Sequence, residues 1–281
     1  MTEPTALPIR PLLPEDLPQA HGLTAAIRWP HRLEDWQFGL SLGEGFAIGE
    51  GGRLLGTAIV WPFGPAHGCF GMLIVAEDQQ GRGLGARLMT TALQLLGDRS
   101  AHLVATKAGE KLYHRLGFTV EGAIRQHQGI VAPVGLHAPR PGERLRPGGP
   151  ADLPALAALD MQATGMDRTR VLAALLAEAE TIVLDRDGAA CGFAMLRPFG
   201  RGHVVGPVAA PDQEAARLLI AHFLGQNQGR FIRIDITDFA LSPWLEAAAM
   251  PCVDEALRMV RGTSAPPGAV RTYALVNQAL G

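Results

Sequence analysis

The chain repeats itself, and any fold assigned to it must be one that can be built twice. Arg10-Pro11-Leu-Leu-Pro14-Glu-Asp16-Leu17-Pro18 returns 136 residues later as Arg146-Pro147-Gly-Gly-Pro150-Ala-Asp152-Leu153-Pro154. At the same offset Gly52, Gly56, Pro62-Phe63-Gly64 and His67 are answered by Gly188, Gly192, Pro198-Phe199-Gly200 and His203. After a two-residue deletion, Ala76-Glu-Asp78-Gln79 returns as Ala210-Pro-Asp212-Gln213. With 281 residues the chain is long for one domain and comfortable for two. Residues 132–150 hold five prolines and several glycines without periodicity, as a linker does. The expected division is a first domain over 1–135, a linker at 136–145 and a second domain over 146–281.

Within the first copy, Ile9-Arg10-Pro11 predicts a short strand, followed by a helix capped near Asp16 and a second helix from about Leu33 to Leu42. Phe46–Gly49 and Leu54–Trp61 flank the turn Glu50-Gly51-Gly52-Arg53, a hairpin signature. A strand over His67–Val75, a long helix ending at Leu96, a strand over His102–Ala105 and a short helix over Glu110–Leu116 follow. Two strands, Phe118–Glu121 and Arg125–Val131, are expected to close the unit. The fold class is therefore α/β, a mixed central sheet flanked by helices.

The apolar run Phe70–Val75 and the helical spacing of Leu84, Leu88, Ala92, Leu95 and Leu96 place Gln80-Gly-Arg-Gly-Leu-Gly85 at a strand-to-helix junction. A helix N-terminus offers free N–H groups and partial positive charge, and glycine lets a ligand approach the backbone, so the segment suits a phosphate or pyrophosphate. Gly81-x-Gly83-x-x-Ala86 formally matches a dinucleotide fingerprint, but five residues separate it from the strand and no acidic residue ends a strand about twenty positions on. The Gly-Lys-Ser/Thr of a Walker loop is absent.

Gln80-x-x-Gly83-x-Gly85 after a strand, followed by Tyr113-His-Arg-Leu-Gly117-Phe118, resembles the GNAT superfamily of acyl-CoA-dependent N-acyltransferases over residues 8–130. The whole chain thus looks like two tandem GNAT-like domains. The resemblance implies acetyl-CoA as cosubstrate, no metal, and direct attack of an amine on the thioester. It assigns cofactor contacts to Ile74 and Val75 along the strand and to Gln80, Gly81, Arg82, Gly83, Leu84 and Gly85 at the loop, with a main-chain N–H near Val75 polarising the thioester oxygen. Tyr113 matches the tyrosine that protonates the departing thiolate in the superfamily; the alternative is a tyrosine packed on the sheet. Base candidates are Glu34, Asp35, Glu44 and His67, the last weakened by His203 at the matching place in the repeat. Trp29, His31 and Arg32, in the segment joining the first two helices, are candidate acceptor-binding residues, whereas Trp36 reads as core.

In the second copy Ala215, Arg217 and Leu219 stand opposite Gly81, Gly83 and Gly85, and Leu245 stands opposite Tyr113. That copy is expected to be a degenerate, non-catalytic scaffold, with Arg258-Met-Val-Arg-Gly262 in its closing strand.

A net charge of -2 and scattered arginines give no field for nucleic acid. Both lysines, Lys107 and Lys111, fall beside the expected cofactor site. Three distant cysteines, Cys69, Cys191 and Cys252, lack partners at metal spacing and read as reduced core residues. Residues 1–8 carry no signal pattern and no apolar run reaches membrane-spanning length, so the expected location is the cytoplasm, without a membrane partner. The sequence leads to an N-acetyltransferase for a small amine. An acyl-CoA sensor without turnover and a protein or peptide N-acetyltransferase are the competing readings, and homo-oligomer formation stays open.

Overall fold

The computed structural model describes residues 7–135, 137–266 and 268–281; residues 1–6, read above for a signal pattern, and Leu136, at the start of the expected linker, lie outside them. The first copy runs β1 (Ile9–Pro11), α1 (Leu17–Ala26), α2 (Leu33–Leu42), β2 (Glu44–Glu50), β3 (Arg53–Phe63), β4 (His67–Val75), α3 (Leu84–Leu96), β5 (Ser100–Ala105), α4 (Glu110–Arg115) and β6 (Thr119–Ile130). The second runs β7 (Glu143–Pro147), α5 (Leu153–Thr164), α6 (Thr169–Glu178), β8 (Glu180–Arg186), β9 (Ala189–Phe199), β10 (Gly202–Ala210), α7 (Gln213–Gln226), β11 (Phe231–Ile236), α8 (Ser242–Ala247), β12 (Cys252–Arg261) and β13 (Arg271–Ala274). The repeat is carried element by element: α2, β2 and β3 shifted by 136 give the bounds of α6, β8 and β9. β7 lies inside the proline-rich stretch read as linker, because it repeats β1.

Local chemistry explains the elements. The Asp35 carboxylate accepts the Arg32 N–H at 2.9 Å and closes the first turn of α2. Gly51 and Gly52 both sit at positive φ, as the β2–β3 turn requires, and Asp187 with Gly188 do the same between β8 and β9. On α3, Leu84, Leu88, Ala92 and Leu96 are buried on one face, against β3 and β4.

Among the described residues, thirteen strands form one sheet in the order β1-β2-β3-β4-β5-β12-β6-β11-β13-β10-β9-β8-β7. The two copies are interlocked in it. The expected pair of closing strands at 118–121 and 125–131 is one continuous strand, β6, and its outer neighbour is β11 of the second copy, paired from Phe231↔Ile130 to Ile236↔Arg125. The place between β5 and β6 is taken by β12, which pairs with β5 from Leu257↔Ala105 to Arg261↔Ala101. Arg258–Gly262 was expected to close the second unit; Arg258–Arg261 instead completes the first. Below one sheet face a shared core joins Leu17, Trp36 and Trp61 to Leu156, Leu172 and Met195, drawing on both copies. On the opposite face α3 and α4 cover one core and α7 and α8 another.

Candidate active site

β4 and β5 are parallel neighbours only from His67↔Ser100 to Cys69↔His102 and then diverge. Beyond that point the facing strand edges have no ladder partner among the described residues, and a groove of 640 Å³ opens between them. Leu73, Ile74 and Val75 form one wall, and Gly81, Gly83, Leu84, Gly85 and Ala86 form its end. Gly81 and Gly83 hold φ of +79 and +76, and a Cβ on either would meet nothing within 4 Å, so the space over the loop is free. α3 starts at Leu84, leaving first-turn N–H groups without helical partners and the positive end of its dipole at the groove. These residues fit a pyrophosphate followed by an extended amide-bearing arm. Gln80 and the unforeseen Gln79 line the groove; Gln80 donates to the Val75 carbonyl at 3.4 Å and Gln79 to Asp78 at 2.9 Å. Arg82 does not line it; its guanidinium donates to the Gln79 side-chain oxygen.

Tyr113 lies on α4 at the groove wall, 8% exposed, and burial pushes its phenol up to about 12. Gly109 makes room for the ring, since a Cβ there would lie 2.7 Å from Tyr113 Cε2.

A second cavity, of 590 Å³, lies between the copies and shares Trp29, Thr106 and Ala108 with the groove. Along β4 the cavity is lined up to Met72 and the groove begins at Leu73. That junction is a β-bulge: the β3–β4 register shifts between Thr57 and Ile59, Met72 takes φ +52, and the Thr57 hydroxyl donates to the Met72 carbonyl at 2.8 Å. The second copy contributes Phe199, Arg201, Arg233 and part of β12 to the same cavity. Sequence reasoning missed them. Pro198-Phe199-Gly200 was read only as scaffold because Pro62-Phe63-Gly64 matches it, and nothing local signals that β12 crosses over.

Of the acceptor candidates, Trp29 and His31 line the cavity, with ring centroids 5.7 Å apart. His31 also meets Phe199 edge-on at 5.4 Å; burial first, then Arg233, lowers its pKa to about 4. Arg32 is turned away, bound to Asp35 at 2.7 Å and to the Pro198 carbonyl at 2.9 Å. Trp36 is fully buried, donating to Thr24.

None of the four base candidates lines the groove or the cavity. Asp35 is buried as an acceptor for Arg32 and the Gly200 N–H, with its carboxyl held below the ordinary range despite burial. Glu34 lines a separate depression beside α2, and Glu44 is exposed at the start of β2. His67 is buried with Nδ1 3.1 Å from His102 Nε2, and His102 Nδ1 lies 3.7 Å from Glu121. Burial, offset by hydrogen bonds from His102 and Ser264 and by Arg258, leaves Glu121 at about 2. This chain of polar groups satisfies itself where the two copies meet, which suits a scaffold role.

In the second copy both devices are replaced. α7 begins at Gln213, so Ala215, Arg217 and Leu219 lie inside it; Asp212 caps it by accepting the Ala215 N–H at 2.9 Å, placing a carboxylate where an anion would bind. The gap between β10 and β11 is filled by β13, which pairs Val208↔Ala274, Ala209↔Thr272, Ala210↔Arg271 and Ile236↔Ala274. Leu245 is fully buried. Among the described residues no group of three or more His, Cys, Asp or Glu is placed to hold a metal ion, and no helix is long and apolar enough to cross a membrane.

Splayed parallel strands, a glycine turn into a helix and a tyrosine-bearing helix beside them define an acyltransferase fold. Residues 42–120 and 156–274 each match a family described as acetyltransferase (GNAT) domain. The uncharacterized N-acetyltransferase YitH of Bacillus subtilis is 29% identical over 221 residues, 75% of this chain and 76% of its own. A putative acetyltransferase from Pyrococcus horikoshii superposes with a TM-score of 0.81 at 19% identity, covering 100% of this chain and 98% of that one. A tandem GNAT protein from the clavulanic acid biosynthesis pathway gives 0.62 at 17%, covering 94% and 100%. The chain belongs to the GNAT acetyltransferase family, with two such domains in tandem.

Proposed function

We propose that this protein transfers an acetyl group from acetyl-CoA to the primary amine of a small acceptor by direct attack, and that the one working site is in the first copy, residues 1–135. The observation that carries the reading is the meeting of groove and cavity at the Met72–Leu73 bulge, with Trp29, Thr106 and Ala108 common to both. Bound acetyl-CoA supplies the activated acyl group. Main-chain N–H groups of Gly81–Ala86 hold its pyrophosphate, and the free edge of β4 at Ile74 and Val75 pairs with its arm. The sequence points to a polarising N–H near Val75; in this proposal the role goes to the main chain at Met72–Leu73, a reading supported by the bulge where groove and cavity meet. Tyr113, held neutral by burial, donates a hydrogen bond to sulfur as the C–S bond breaks.

None of the four base candidates lines the cavity, and of its two lining carboxylates Glu255 is paired with Arg125 and Asp254 accepts the Glu255 N–H; the acceptor therefore enters as neutral amine, gives up its surplus proton to water after attack, and the rate rises with pH along its own ammonium titration. A thiol-release assay over an amine panel, with calorimetric titration of acetyl-CoA, tests the proposal. Turnover of at least one amine is expected; no turnover together with no acetyl-CoA binding overturns it.

A further inference from the structure

The charges around the 590 Å³ cavity do not cancel. Arg233 is paired with Asp235 at 2.8 Å, and Glu255 with Arg125 at 3.0 Å. Arg28, Lys107 and Arg201 also line the cavity, all exposed, and none of them takes part in an ion pair among the described residues. Against these three cations stands Asp254, whose carboxylate accepts the Glu255 N–H at 3.0 Å. The guanidinium carbons of Arg197 and Arg233 lie 4.9 and 5.4 Å from the centre of the Phe199 ring, each with a carboxylate partner of its own, Asp35 and Asp235, so neither adds to the uncancelled charge.

These cations are not explained by the cofactor. The groove is lined by Ile27 and Trp29 but not by Arg28, and by Thr106 and Ala108 but not by Lys107. Arg201 belongs to the second copy and lines the cavity alone.

We infer that the acceptor carries an anionic group, a carboxylate or a phosphate, in addition to its amine, and that the second copy selects it through Arg201 acting with Arg28 and Lys107. This rests on the acetyltransferase reading above. The anion sits among the three cations while the amine points to the Met72–Leu73 junction. The second copy thus supplies part of the acceptor site although its own cofactor gap is filled.

The test compares matched amines: β-alanine against propylamine for a carboxylate, and phosphoethanolamine against ethanolamine for a phosphate. The acidic member of at least one pair is expected to show kcat/KM about tenfold higher or more. Arg201→Glu should reduce that advantage by about tenfold while acetyl-CoA affinity holds, and raising ionic strength well above about 0.15 M should erode it in the unaltered protein. The responding pair identifies the anion. If amines are acetylated with no preference for an acidic partner, or with a preference insensitive to both Arg201→Glu and salt, this inference alone is overturned. If no amine reacts and acetyl-CoA does not bind, the transferase reading falls and this one with it; if acetyl-CoA binds but neither acidic amine reacts, this inference alone is overturned.

Discussion

Tyr113 and His31 show how burial sets the chemistry of single residues here. With its phenol up at about 12, Tyr113 stays protonated across the working range, so activity should show no loss from its ionisation below about pH 11. Tyr113→Phe is expected to cut kcat by about 10²-fold with little change in acetyl-CoA affinity, read by steady-state kinetics and calorimetry. His31 makes a stability prediction. Its folded pKa of about 4 lies below the ordinary 6.5, so the unfolded chain takes up the proton first as pH falls. The neutral ring's contribution is present above pH 6.5 and is lost as pH drops through 4, up to about 3 kcal/mol. His31→Phe should flatten that part of the stability–pH curve in denaturant titrations; an unchanged slope would rule the mechanism out. Tyr113 could be found in the sequence because its motif is local. That Asp35 is taken up in ion pairs could not be foreseen, since a carboxylate's role depends on which arginine the fold brings to it, and Arg197 reaches Asp35 from the other copy at 3.6 Å; Glu34 and Glu44 line neither groove nor cavity, a matter of placement that no local signal carries.

At the scale of elements, the contrast between α3 and α7 isolates what the glycines do. Both helices follow the same strand of the repeated unit. One starts after a turn containing two left-handed glycines, and the other starts earlier, under an aspartate cap. Gly83→Val should weaken acetyl-CoA binding by about tenfold or more, because the side chain is strained at φ +76 and projects into the space above the loop. Calorimetry checks this, and unchanged affinity would remove the loop from the site. Helix and hairpin positions were legible from the residues, since caps, turn glycines and apolar period are local signals. The end of the unit was not. Phe118–Glu121 and Arg125–Val131 look like two strands because Gly122 interrupts them, yet pairing with β12 and β11 on either side carries one strand through.

For the whole molecule, the crossing of β12 makes each copy incomplete without the other. Residues 1–135 alone would expose the edges of β5 and β6 that β12 now covers, with nothing from their own copy to replace it. Expressed alone, that fragment is expected to aggregate or remain unfolded, and the full chain to melt in one cooperative transition; circular dichroism and calorimetric scanning test both. The repeat told where the copies begin, but not that they trade strands, because an offset between similar residues contains no information about partners.

The strand β13 works against a second coenzyme. By lying against β10 and β11 it gives those backbones the hydrogen bonds that a cosubstrate's amides would otherwise seek, so that gap of the duplicated fold is occupied by a tethered competitor. A segment attached to its own target acts at an effective concentration of about millimolar and never dilutes away. Saturation should therefore come at one coenzyme per polypeptide, however much is added.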